Sequence, residues 1–328
     1  MESTSRHDGT LEPDQTLTAL YRACLMREPE PGALDYWRST LADQGLEAVL
    51  TQFLRSTEFG YKLGEFVNLY PYDQAQPQRI DTQIDAQDMA RLWERVSKTW
   101  TRLGSEDAFF SVLTNDRWRG LAQDERIDAF YATGEGDLRR LDAWLARNRQ
   151  SVDPNGLCVE YGCGVGRFTE WLAPRFRNVL ALDVSEPHLA LARKRAGAKG
   201  LGGQVKYARV ASPADLAGLA GADLFYSVIV LQHNPPPIIA TILDAAFAGL
   251  NRGGLAFFQV PTRGGDGYAF DAQAYLQSGG DGWMEMHAVD QKQIFTWAQR
   301  RGVRPLEVSP DHCAGGIGVS TTFLMQKE

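Results

Sequence analysis

The chain has 328 residues, 44% hydrophobic and 23% charged, with a formal net charge of −7. This mix describes a soluble globular protein with room for two cores, and it excludes a disordered or fibrous chain. The acidic balance, with a sequence pI near 5.4, argues against broad nucleic-acid binding, which needs a basic face to neutralise phosphates. Cys24, Cys158, Cys163 and Cys313 show no C-x-x-C spacing, so neither a disulfide framework nor a structural zinc site is expected, and no metal is called for. The polar N-terminus MESTSRHDGTLEPDQ and the lack of a long apolar run give an expectation of cytoplasmic residence without a membrane span.

Residues 1–70 are expected to form a small all-helical module. Leu17, Leu20, Tyr21, Cys24 and Leu25 share one helical face after a cap at Asp14, and the segment from Arg27 to Gly32 ends that helix. Leu34, Trp37 and Leu41 repeat the spacing until Gly45 stops it; Val49, Leu50, Phe53 and Leu54 make a third helix, and Ser56-Thr57-Glu58-Phe59 starts a fourth that runs to Pro71. The stretch LYRACLMREPEPGALDYWRSTLADQG with FLRSTEF resembles the bacterial helical repeat related to phycobilisome linker segments. That resemblance implies docking to a protein partner rather than chemistry. Residues 71–87, polar and with two prolines, read as a linker.

Residues 88–328 are expected to be an α/β domain with a helical N-terminal cap at 88–150. Met89, Leu92, Trp93, Val96, Trp100 and Leu103 form one buried helical stripe, and helical patterning continues to Leu145. The chain then reads LCVEYGCGVGRFTEW from Leu157 to Trp171: a short buried strand, a turn at Gly162, Gly164 and Gly166 that brings backbone amides close to a ligand, and a helix. A dinucleotide fingerprint would need Gly or Ala where Arg167 or Thr169 stands, which weakens a nicotinamide site. Asn178–Leu182 makes a second strand closing on Asp183, and an acid at that tip can accept two hydrogen bonds from a ribose diol. Further strands are expected at 205–210, 224–230, 255–260, 303–308 and 320–325, with 261–283 as a mobile flap over an acceptor pocket.

The strand-turn-helix of Glu160 to Thr169, with Asp183 following, resembles motif I of the class I S-adenosylmethionine-dependent methyltransferases, and the resemblance covers about residues 150–328. It implies a Rossmann-like seven-stranded sheet closed by an antiparallel hairpin. It also implies a set of cofactor contacts: Glu160 to the ammonium, Gly162, Gly164 and Gly166 under the methionine part, Asp183 to the ribose, and Val184 beside the adenine. Tyr131 falls where related enzymes touch the methionine carboxylate. Ser212 lies near the place of the usual acid and would hold the adenine amino group, as backbone groups also could.

The expected activity is O-methylation of a sugar or other small polar acceptor by S-adenosylmethionine. A hydroxyl acceptor must lose its proton, and a positioned histidine is the usual recipient. His233, after the fourth strand, is the first candidate for the base, and His287, near Glu285, is its rival. The alternatives are a nicotinamide-dependent oxidoreductase and a catalytically inactive methyltransferase-like binding protein.

Overall fold

A computed structural model describes residues 12–25, 27–59, 78–121, 126–265, 267–279, 283–314 and 318–328. The expected fourth N-terminal helix beyond Phe59 and the first part of the linker, 71–77, lie outside the described residues. The chain divides into two compact units, residues 1–76 and 77–328.

In the first unit, Pro13 presets the helical φ and fixes the start of α1 (Pro13–Leu20). The cap position is therefore Glu12 rather than Asp14, whose carboxylate instead pairs with Arg38 at 2.6 Å. Tyr21–Leu25 continue as a π turn. The two helices expected around Gly45 form one element, α2 (Ala33–Leu54), kinked where Gly45 takes φ 79 and ψ 172. Leu17, Tyr21, Leu25, Val49 and Phe53 make a single small core, over which Trp37 Nε1 donates to Tyr21 Oη at 3.0 Å.

The second unit opens with α3 (Ala86–Val112), capped by Asp85 accepting from the Asp88 amide, and α4 (Ile127–Arg147). Then follow β1 (Leu157–Tyr161), α5 (Thr169–Leu172), β2 (Asn178–Asp183), α6 (Glu186–Ala198), β3 (Val205–Arg209) and β4 (Ala222–Ser227). The chain closes with α7 (Pro236–Gly249), β5 (Leu250–Gly264), α8 (Ala272–Gln277), α9 (Gln291–Arg300), β6 (Val303–Asp311) and β7 (Gly318–Lys327). The seven strands form one sheet in the order β3-β2-β1-β4-β5-β7-β6. β1 to β5 are parallel neighbours, while β7 runs antiparallel to both β5 and β6. This is the Rossmann-like seven-stranded sheet with a terminal hairpin that the sequence led us to expect.

Alternation along the strands sends side chains to two cores. Val159, Tyr161, Phe225 and Phe258 pack against Leu92, Trp93 and Val96 of α3 and against α7, whereas Cys158, Leu224 and Phe257 pack against Leu138, Leu141 and Trp144 of α4. β4 is shorter than its apolar run. It ends at Ser227, and Val228-Ile229-Val230 leave the sheet to form part of a cleft wall.

Two expectations of looseness fail. Residues 78–85, expected as linker, are woven into the second unit: Ile80 bridges Phe270, the Asp81 amide donates to Phe270 O at 2.9 Å, and Gln78 Nε2 donates to Gly264 O at 3.1 Å. The expected mobile flap carries α8, buries Phe270, and receives the Arg95 guanidinium 3.8 Å over the Tyr275 ring. Its residues 266 and 280–282 lie outside the described residues. Aromatic side chains that the sequence placed on a surface loop are spent on packing.

A fragment of residues 77–328 should therefore fold with a single cooperative thermal transition. A fragment starting at residue 87 loses the Ile80 bridge and the Asp85 cap, a cost of about 1 kcal/mol for the cap alone, and should melt roughly 2–4 °C or more lower. Equal midpoints by circular dichroism would show that residues 78–86 contribute no stability.

Candidate active site

The sheet order reverses beside β1, with β2 and β3 on one side and β4 and β5 on the other. In open parallel sheets this switch point leaves a crevice beyond the strand ends where ligands bind. A cleft of about 690 Å³, its open mouth included, lies there. Gly162, Gly164, Asp183, Val184, Val228 and His233 are among its lining residues.

Glycine is required in the turn for close approach. Gly162 has φ 77, and a Cβ there would come within 2.2 Å of Val230 Cγ1; Gly164 has φ 54, and its Cβ would meet Val112 at 2.7 Å. The expected cradle of free amides is not what the turn provides. The Gly162 and Cys163 amides donate to Leu182 O at 2.7 and 2.9 Å, Gly166 N donates to Cys163 O at 2.8 Å, and Gly164 N donates to Asp183 Oδ2 at 2.8 Å. Three of these donors join the tips of β1 and β2, and the Gly166 amide closes the turn on itself. Gly166 stands apart from the cleft, packed against Ala192 of α6.

Asp183 sits in the cleft wall with its carboxylate orientation fixed, Oδ2 by Gly164 N and Oδ1 by Ser185 N, each at 2.8 Å. A carboxylate offers about four lone-pair sites, so two amides leave acceptor capacity for a diol. Val184 lines the cleft beside it. Glu160 lies just behind the wall, 1% exposed, with Oε2 accepting from Thr169 Oγ1 at 2.5 Å and Oε1 buried without a hydrogen-bond partner. Burial pushes its carboxyl up to about 7, against the opposing effects of the Thr169 hydroxyl and the Arg167 charge.

Tyr131 is not in the cleft lining. It supports the turn from below, its hydroxyl donating to Val165 O at 2.8 Å, while Trp171 Nε1 donates to Tyr131 O at 2.8 Å. Ser212 also falls outside the cleft, in a separate shallow depression beside Arg209, and its hydroxyl is committed to Asp215 at 3.1 Å. An adenine contact at Ser212 is therefore not supported by its position.

His233 lines the cleft, with Nδ1 3.0 Å from Glu285 O and Nε2 3.2 Å from Gln232 Nε2. A consistent tautomer has Nδ1–H donating to the carbonyl and Nε2 accepting from the amide. Burial pushes the ring down to about 4, so it is neutral at pH 7. His287 is buried outside the lining, its Nε2 3.5 Å from Glu285 Oε2. Burial alone would raise Glu285, but the nearby His287 ring and hydrogen bonds from Tyr275 and Arg95 hold it down at about 2.

Sequence reasoning missed several wall residues. His188, at the start of α6, is buried in the lining, with Ser185 Oγ 2.7 Å from Nδ1 and Ser111 Oγ 2.9 Å from Nε2. Arg167, 2% exposed, lines the cleft while Nη1 donates to Asp137 Oδ2 at 2.6 Å, and its buried Nε has no partner. Its place directly after the third glycine was the only signal. Trp100 belongs to the α3 stripe, and nothing in its spacing distinguishes a cleft wall from a core contact.

Residues 158–254 match the family model described as a methyltransferase domain. That stretch is similar to a methyltransferase domain. Among similar curated proteins, the ubiquinone biosynthesis O-methyltransferase of Psychrobacter arcticus is 30% identical over 180 residues, covering 51% of this chain and 66% of that protein. The namesake from Stutzerimonas stutzeri is 29% identical over 113 residues, 34% of this chain and 47% of the relative. The chain thus spans about half to two thirds of the length of these relatives. Magnesium protoporphyrin IX methyltransferase from Synechocystis PCC 6803 aligns in three dimensions with a TM-score of 0.47 at 16% identity, over 76% of this chain and 100% of that one. The family match speaks against the nicotinamide alternative, as the glycine spacing did. No helix among the described residues of either unit is long and apolar enough to cross a membrane.

The raised Glu160 carboxyl has a consequence for stability. Between its ordinary value of 4.5 and about 7 the folded protein holds a proton that the unfolded chain has released. Stability therefore falls as pH rises through that window and stays lowered above it, by on the order of 3 kcal/mol. Glu160→Gln keeps an acceptor for Thr169, so without ligand it should melt higher than wild type at pH 8.5 and nearly alike at pH 5. Parallel pH dependences in thermal melts of the two would refute the assignment.

Proposed function

We propose that this protein transfers the methyl group of S-adenosylmethionine to a hydroxyl oxygen of a small-molecule acceptor. The observation that carries the reading is Asp183: an oriented carboxylate at the tip of β2, in the wall of a switch-point cleft, beside a glycine turn too tight for side chains. That arrangement suits the ribose of a nucleoside cofactor. The methyltransferase-domain match and the O-methyltransferase relatives support the transfer chemistry.

The cofactor's amino-acid end is zwitterionic, and two buried atoms without partners flank the turn: Glu160 Oε1 and Arg167 Nε. In this reading Glu160 attracts the ammonium, directly or through water, and Arg167 the carboxylate. Either contact would recover the cost of leaving a buried polar group unpaired. The sulfonium supplies an already activated methyl group, so the chain's own task is to align the acceptor and exclude water. Val96, Trp100, Val112, Phe168 and Val228 give the cleft largely apolar walls, which favour an acceptor with an apolar body over a bare sugar.

His233 stands where an acceptor proton could be taken. A ring neutral down to about 4 with both nitrogens engaged is a weak base, and we propose that it positions the wall rather than drives proton transfer. His287, outside the lining, bears on that wall through its amide, which donates to Gln232 O at 2.7 Å. The N-terminal unit is proposed as a docking module. Its removal should release the protein from its partner in cell extract without changing cofactor affinity.

Two results are expected. Asp183→Ala should weaken S-adenosylhomocysteine by more than about tenfold in calorimetry, since hydrogen bonds to a charged acceptor contribute about 1.5–3 kcal/mol; unchanged affinity would remove the ribose contact. His233→Ala should lower methyl transfer by less than the roughly 10²–10⁴-fold typical of a lost general base. A larger loss with cofactor affinity intact would restore His233 as the base.

A further inference from the structure

The residue after Val228 is strained in a way its type does not favour. Ile229 takes φ 61, the left-handed region that a β-branched side chain enters only when its surroundings compel it. It lies in the cleft wall, just past the end of β4. Its amide donates to Gln259 Oε1 at 2.9 Å. Gln259 is wholly buried in β5, and its Nε2 donates to Gln232 Oε1 at 3.0 Å and to Ser320 Oγ at 2.6 Å. Gln232 in turn places its own Nε2 against His233 Nε2 at 3.2 Å and Cys313 O at 3.4 Å. One chain of side-chain amides thus runs from the strained turn to the histidine.

We propose that Gln259 is a positioning residue for the cleft, holding Ile229 in its left-handed turn and, through Gln232, fixing the orientation of His233. An apolar side chain would fill this core position without any polar group to satisfy, whereas the glutamine is useful only if each of its bonds is made. All its polar atoms are committed, and two of the three contacts lead to cleft-wall residues or their immediate neighbour. Strain kept at a ligand site and enforced from the core is a means of setting the wall before a ligand arrives.

The inference rests on the cofactor reading only for its probe, S-adenosylhomocysteine. Gln259→Met keeps the length of the side chain and removes the hydrogen bonds. It should weaken that ligand roughly tenfold in calorimetry, because a small displacement of a binding wall is costly. Glycine adopts φ above zero without help, so adding Ile229→Gly should restore affinity to within about threefold of the Ile229→Gly single variant. A glutamine that only stabilises the core would leave the double variant as weakened as Gln259→Met, and this lack of rescue would overturn the proposal. So would wild-type affinity in Gln259→Met. Should that variant fail to fold, amide exchange in the full-length wild-type protein decides: the Ile229 amide, though outside any strand, should be protected well above those of Val228 and Val230. Equal exchange at the three positions would overturn the proposal. If wild type binds no S-adenosylhomocysteine, the cofactor reading fails, and the exchange measurement still tests Gln259 alone.

Discussion

The cleft depends on the way the tips of β1 and β2 are laced together. Asp183 accepts from Gly164 N and Ser185 N, and Leu182 O accepts from Gly162 N and Cys163 N. The acid proposed for the ribose is therefore positioned by the same glycine turn that makes room for the ligand. Hydrogen bonds to a carboxylate are stronger than neutral ones, so the turn and the acid fix each other. A change in either alters both.

The outer wall comes from α3. Ser185 Oγ donates to Trp100 O at 3.0 Å, and His188 of α6 reaches Ser111 near the end of α3. Gly104 allows that approach, since a Cβ there would lie 2.6 Å from His188 Nδ1. Farther along, Arg95 ties α3 to the insert after β5, donating to Glu285 Oε1 at 2.9 Å and to Tyr275 O at 2.8 Å. The cleft is closed by a helix anchored at two places through polar contacts, not by a loose loop. Those contacts have higher local free energy to lose when partly buried, which favours a wall set before binding over one assembled by it.

Several buried groups in and behind this wall cost stability. Glu160 is held partly protonated by burial, Arg167 Nε has no partner, and Ile229 is strained. Proteins violate local consistency chiefly at functional sites and compensate elsewhere. Here the compensation is the pair of apolar cores on either face of the sheet. The three costly groups cluster where the proposed cofactor would relieve at least two of them.

The sequence by itself determined the sheet, the glycine turn and the acid at the tip of β2, because each is a local pattern. Apolar runs of five or six residues alternate with helical spacing, and tight turns demand glycine. It also marked Glu160, two positions before Gly162, as special. Tertiary structure alone decided which side chains reach the cleft. Tyr131 and Ser212 carried suitable chemistry but are turned to other tasks, under the turn and at the start of a short helical turn, whereas His188 and Trp100 looked like ordinary helix residues and became wall. The linker and flap likewise read as polar, glycine-rich loops until Ile80 met Phe270 across some 190 positions. Composition and spacing report a residue's local preference. Contact with a distant segment is set by the packing of whole elements, and no local pattern encodes it.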